Sequence, residues 1–265
     1  GIHQSRSSYL IYVTKFVQVI SCNLPYIKEL AAKAIPEYWG EDNKILKNYF
    51  SFTFQYLAEN YNANPENNYI VFSRDNSAAA FNTGLFDEDY ESIFAFFKKN
   101  YKQNSQPWFF IGFKTSSDIE MNSFSDLPKR NNYFKNPEEL ILNPEAEIRI
   151  NIPHILRDDK NRSRLPRKIQ KYSDPMIKAL LEGAVTRAKR KVSANYTIAV
   201  PQFYQRQLQL LLPLELQGNG TPDLALAISF KDGVYSGRTA LTLEMAYNNA
   251  RLITKPETSW VQPIV

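Results

Sequence analysis

The sequence predicts an α+β fold, with N-terminal helices and a largely antiparallel sheet whose C-terminal four strands form a meander covered by helices. Three observations carry that prediction. Between Pro25 and Tyr61 the apolar residues Ile27, Leu30, Ala31, Ala34 and then Ile45, Leu46, Tyr49, Phe52, Phe54 and Leu57 recur at helical spacing. In EIRINIPHIL, Ile148, Ile150 and Ile152 alternate with Arg149 and Asn151, which is strand periodicity up to Pro153. In the last third, TIAVPQFY, LQLLLPLEL, DLALAISF and VYSGRTALTL are strand-like runs joined by the short links QRQ, QGNGTP and KDG.

Taken in order, the first 25 residues read as an N-terminal extension or a vector-derived segment, and 26–265 as one α+β domain. Within the extension, Tyr9–Ile20 is apolar but short and carries Lys15 and Gln18, so a strand or half-buried helix fits better than a membrane span. Two helices separated by a turn at Pro36–Asp42 follow. Tyr69–Ser73 and Ala78–Phe81 read as strands around the SRDNS turn, Glu88–Asn100 as a helix with Ile93, Phe94 and Phe97 inward, and Pro107–Phe113 as a buried strand. Lys114–Pro144 is rich in Asn, Ser, Asp and Pro and reads as irregular. The tract from Asp158 to Pro175 reads as a basic surface loop, and a helix over Pro175–Val192 is expected, with Asp174 as its N-cap. Near-continuous apolar runs in LQLLLPLEL and DLALAISF imply a sheet covered on both faces, one of them by a helix over Glu244–Ile253.

Composition narrows the chemistry. One cysteine, Cys22, excludes an internal disulfide framework and a cysteine-based zinc site, and fits a reducing, cytoplasmic setting. Nine glycines in 265 residues argue against glycine-rich phosphate loops as an organising theme. With His3 in the lead-in, His154 is the one usable histidine, which excludes paired-histidine phosphoesterase mechanisms and multi-histidine metal centres. Asp75, Asp118, Glu120, Asp126, Asp158 and Asp159 have no recognisable metal spacing, so no metal or cofactor is named. KDGVY lacks the spacer of a nucleotidyltransferase lysine motif and is accounted for as an Asp-Gly hairpin turn.

Charge is segregated. Arg149–Lys191 holds thirteen Lys/Arg against four Asp/Glu in a chain whose net charge is +5, the footprint expected for a polyanionic partner. The plainer reading is a solvated basic helix face, with TRAKRK complementing a helix C-terminus.

FNTGLFDEDYESIFAFF (81–97), PWFFIGF (107–113), LPKRNNYFKNPEELI (127–141), RINIPHIL (149–156), NYTIAVPQFY (195–204), LQLLLPL (208–214), DLALAI (223–228) and YSGRTALTLEMAYNNARLI (235–253) resemble, in this order, the signature blocks of the domain-of-unknown-function 3825 family. The resemblance runs from about Tyr26 to Trp260. It implies occurrence in bacteria and fungi, in multidomain proteins that carry RNA-linked helix-turn-helix-like and OB-type modules.

Candidate site residues follow from side-chain chemistry. On a helix beginning near Glu244, the residues Glu244, Tyr247, Asn248 and Arg251 fall in one polar row, opposite Leu243, Ala246, Ala250 and Ile253. Facing a cleft, Arg251 can hold a phosphate, Tyr247 and Asn248 can orient a base or sugar, and Glu244 can act as ligand or base. Alternatively, Arg251 pairs with Glu244 and the asparagines are exposed. The resemblance favours the ligand-facing reading, because this block is among the family's most distinctive. His154, near Asn151 and Arg157, is a candidate general acid or base, or a simply hydrogen-bonded histidine. Asn82 and Gly84 can meet an anion or form a plain turn. Asn195, Tyr196, Gln202 and Gln209 lie on or beside the meander as polar residues needing partners.

The leading expectation is an RNA- or nucleotide-binding module without membrane association. Phosphates would be held by the Arg157–Arg167 tract, including Arg162, and by Arg187, Lys189 and Arg190. Tyr196, Phe203, Tyr204 and Tyr247 would stack bases. The alternatives are a hydrolase or phosphoesterase using His154, Glu244 and Arg251, recognisable by convergence of those residues in one pocket, and an interaction scaffold, recognisable by an exposed apolar patch.

Overall fold

The computed structural model describes residues 24–102 and 105–261. The reading of Tyr9–Ile20, and Cys22, lie outside the described residues. The chain divides into two compact units, residues 1–131 and 132–265, each with its own sheet. As expected, helices combine with largely antiparallel strands, here shared between a four-stranded and a five-stranded sheet.

In the first unit, α1 (Leu24–Lys33) and α2 (Lys44–Ala63) precede the antiparallel strands β1 (Ile70–Phe72), β2 (Ala78–Phe86), β3 (Ser92–Lys99) and β4 (Trp108–Thr115), in spatial order β1-β2-β3-β4. The helices bury one sheet face through an aromatic cluster in which Phe81 contacts Phe50, Phe54 and Phe97 at centroid distances of 5.8, 4.7 and 5.8 Å. The other face packs Ala78, Ala80, Phe94 and Phe96 on Met121 and Phe124.

The helix expected over Glu88–Asn100 is instead the β2–β3 turn and β3. Ile93 to Phe97 are buried without interruption, so the segment shows neither the two-residue nor the helical period. Its acidic lead-in is not a helical first turn, because Asp87 Oδ1 accepts the N–H groups of Asp89 and Glu91 and Tyr90 adopts φ +60°.

The second unit has strand order β5-β9-β8-β7-β6, from β5 (Glu147–Ile150), β6 (Val200–Tyr204), β7 (Gln207–Leu214), β8 (Leu224–Lys231) and β9 (Val234–Leu241). β6 to β9 are the expected meander, and β5 joins it parallel to β9. The QRQ link is a two-residue turn with Gln205 and Arg206 both left-handed, and KDG is likewise an Asp232–Gly233 turn. One sheet face is covered by α5 (Asp174–Ala194) and by α3 (Ile152–Arg157), through Leu210, Leu212, Leu226 and Ile228 against Ile155, Ile177, Leu181 and Val185. α6 (Leu243–Arg251), N-capped by Thr242, packs on β6, β8 and β9.

Three local expectations are corrected. β5 ends at Ile150, because the Asn151 side chain accepts the His154 N–H and starts α3 with Pro153 in its first turn. The supposed basic loop contains α4 (Asp159–Arg164) and a 3-10 turn over Ile169–Lys171, pinned by buried Asn161, Leu165 and Ile169. The N-cap of α5 is Ser173, while Asp174 lies inside the helix and pairs with Arg162 at 2.8 Å.

Candidate nucleic-acid interface

The basic tract is built on the edge of the second sheet. β5 pairs with β9 only as far as Gly237, which leaves the Ala240 N–H and C=O open on that edge. α4 fills the gap: Asn161 Oδ1 accepts the Ala240 N–H at 3.2 Å, and Arg164 Nη1 donates to the Ala240 carbonyl at 2.7 Å. Arg164 is therefore an anchor.

Two of the expected phosphate ligands, Arg187 and Lys189, are engaged elsewhere, as are their neighbours Lys191 and Arg149. Arg187 and Lys191 flank Glu215 at 3.4 and 3.3 Å. The Gly220 N–H, which Glu215 accepts, and then these cations hold the Glu215 carboxyl below its ordinary value. Lys189 donates to the Ala146 carbonyl, and Arg149 is bound to Glu147. Arg157, Lys160, Arg167, Lys168 and Lys171, in contrast, are all exposed and make no ion pair or side-chain hydrogen bond. They form a cationic surface on α3, α4 and the turn that follows, with Arg162 neutralised behind it. Arg190 is also exposed and unpaired.

The polar row of α6 is divided. Tyr247 and Arg251 are buried with Ala246 and Ala250, whereas Glu244 is exposed and Asn248 half-buried. Because the other buried residues of this helix are alanines, the ring of Tyr247 and the stem of Arg251 supply the bulk of its inner face. Asn248 donates to the Glu244 carbonyl at 3.0 Å, but its Oδ1 is enclosed and accepts no hydrogen bond. His154 is exposed on α3, on the sheet face opposite the one that meets α6. His154 and Arg251 therefore do not converge.

Gln202 and Gln209 do come together. A one-way chain of side-chain hydrogen bonds runs from Asn249 of α6 to Gln202 (3.0 Å), to Gln209 (2.7 Å) and to Ser229 (2.9 Å). Of the four candidate stacking aromatics, Tyr204 and Tyr196 are 47% and 64% exposed, while Tyr247 is buried and Phe203 is buried against Tyr133. Asn151 and Asn195 serve as caps, the latter accepting the N–H and hydroxyl of Thr197.

In the first unit, the Asn82 amide accepts the Gly84 N–H at 2.8 Å and donates to the Pro128 carbonyl at 3.4 Å, while Thr83 Oγ1 accepts the Leu85 N–H. The N–H groups read as an anion nest are thus occupied by their own side chains. One residue passed over in the sequence stands out here: both polar atoms of the Asn131 amide are enclosed without a partner. Its only sequence signal is the paired Asn131–Asn132 within the LPKRNNYFKNPEELI block. A groove of about 290 Å³ also lies along β1, lined by Tyr61, Ile70, Phe72, Ser125 and Asp126.

Among the described residues no group of three or more His, Cys, Asp or Glu is placed to hold a metal ion, and no helix is long and apolar enough to cross a membrane. The fold and site thus define an α+β chain of two compact units, the second with a cationic helical edge on a five-stranded sheet built around a four-strand meander. The chain belongs to the family described as Domain of unknown function (DUF3825), whose model matches residues 30–260. No curated protein and no solved structure matches it.

Proposed function

We propose that this chain binds RNA or a nucleotide through the cationic surface of α3, α4 and the turn that follows. The single observation that carries the reading is the set of five exposed, unpaired cations Arg157, Lys160, Arg167, Lys168 and Lys171 within fifteen residues. Cations held for stability find carboxylates, as Arg162 and Arg187 do. Cations left open beside one another repel, and that cost is offset when phosphates displace their counterions. The phosphoesterase alternative needs His154, Glu244 and Arg251 in one pocket, and their placement on opposite sheet faces favours binding over catalysis.

The test is a titration with RNA at several salt concentrations. Affinity should fall steeply between low and moderate salt, by on the order of 10³ or more if six or more phosphates are contacted. Affinity indifferent to salt, or no binding at low salt, rejects the reading.

A further inference from the structure

The five-stranded sheet has two unlike faces, and its register shows where the second changes character. Opposite the face covered by α5, the aligned residues across β5, β9, β8, β7 and β6 are Arg149, Ser236, Ser229, Gln209 and Gln202. One row nearer α6, this face is apolar and buried, with Ala227, Leu211 and Val200. One row away from α6, it is open to solvent, with Lys231, Gln207 and Tyr204 all exposed. The polar row is the boundary between them. Along it, exposure rises from Gln202 (1%) through half-buried Gln209 and Ser229 to exposed Ser236 and Arg149.

The row is built of amides and hydroxyls held in place by the Asn249–Gln202–Gln209–Ser229 chain. Gln209 uses one N–H and one acceptor site within the chain and keeps one of each. Four inter-strand steps make the row roughly 19 Å long. Its β9 end lies roughly 13 Å along the strand from Ala240, where α4 is tied to the sheet edge, with Leu165 and Ile169 packed on the other face.

We propose that this face reads single-stranded nucleic acid: the Tyr204 ring stacks an unpaired base, Gln209, Ser229 and Ser236 hydrogen-bond to base edges, and Lys231, exposed on the same face, meets a neighbouring phosphate. The proposal rests on the polyanion-binding reading above and narrows it to unpaired bases. An RNA duplex offers this face little, because its bases are already stacked and the A-form major groove is too deep and narrow for side chains to read. Single-strand readers combine an aromatic platform, polar groups for the base edges and a cationic track for the backbone. Here Tyr204, the amide and hydroxyl row and Lys231 stand on one face of the sheet.

The experiment compares the whole chain with Tyr204→Ala and Tyr204→Phe, using a mixed-sequence single-stranded RNA and the corresponding duplex over a salt series. Tyr204 lies half in solvent at a hairpin end, so folding is not at stake. The expected result is tighter binding of the single strand than of the duplex. Tyr204→Ala should lose about 5- to 100-fold in single-strand affinity with an unchanged salt slope, since stacking releases no counterions, and Tyr204→Phe should restore it. Salt-dependent binding that prefers the duplex, or that is indifferent to Tyr204→Ala, overturns this inference and leaves the polyanion reading standing. Absence of salt-dependent binding overturns both.

Discussion

At the scale of single residues, three side chains make testable claims. Asp75 closes the β1–β2 hairpin by accepting hydrogen bonds from the Ser73 hydroxyl and from the Ser77 N–H and hydroxyl, and these lower its pKa from 3.8 to about 2. A depressed carboxyl contributes stability above its unfolded pKa and loses it as pH falls through the folded one. Asp75→Asn should therefore unfold at a lower temperature than wild type at neutral pH, with the gap closing between about pH 4 and pH 2 in a thermal melt series. Gly84 has φ +79°, and a Cβ there would collide with the Tyr49 hydroxyl, which donates to the Thr83 carbonyl. Gly84→Ala should destabilise the protein by about 1–3 kcal/mol in urea unfolding, and adding Tyr49→Phe should recover only the steric part. Asn131→Leu should raise stability by about 1–3 kcal/mol, because it removes a buried amide with no partner. If urea unfolding instead shows Asn131→Leu to be destabilised, the amide has a partner in solution.

At the scale of elements, local chemistry was legible and coverage was not. The Asp232–Gly233 turn is written in adjacent residues, so the sequence places it, while the starts of α5 and α6 fall one residue before the expected Pro175 and Glu244, at Asp174 and Leu243. β3 was unreadable as a strand because a strand buried on both faces carries no alternation. α4 was unreadable because what holds it is an edge of β9 nearly eighty residues away, through Asn161 and Arg164. Asn161→Ala leaves the Ala240 N–H without its partner and should cost about 1–3 kcal/mol. It should also loosen the cationic surface, which hydrogen exchange over 157–171 can register as faster exchange. Unchanged exchange there means that Leu165 and Ile169 hold the segment by themselves.

For the molecule as a whole, the decisive property is where charge ends up after pairing. The second unit has nineteen Lys/Arg against thirteen Asp/Glu, the first unit thirteen against fourteen, so the positive character belongs to one unit. The charge count was plain in the sequence, but not which cations stay open: Glu215 neutralises Arg187 and Lys191 from another element, and Asp174 neutralises Arg162. Replacing Arg167 and Lys168 together by alanine should reduce the slope of log affinity against log salt by about 1.4 on a single strand. The same double replacement at Arg187 and Lys191 should change the slope far less, and equal effects would place the nucleic acid on α5 instead.

By itself the sequence determined the α+β class, the four-strand meander with its two tight turns, and the family, because each depends on residue identity or on spacing within a few positions. Only the tertiary structure decided that the α6 row is split between core and solvent, that the Asn82 amide is spent on its own bulge, and that Gln202 and Gln209 share one hydrogen-bonded row. The physical reason is the same in each case. Burial and pairing depend on what is brought alongside from elsewhere in the chain, and spacing along one segment carries no record of it.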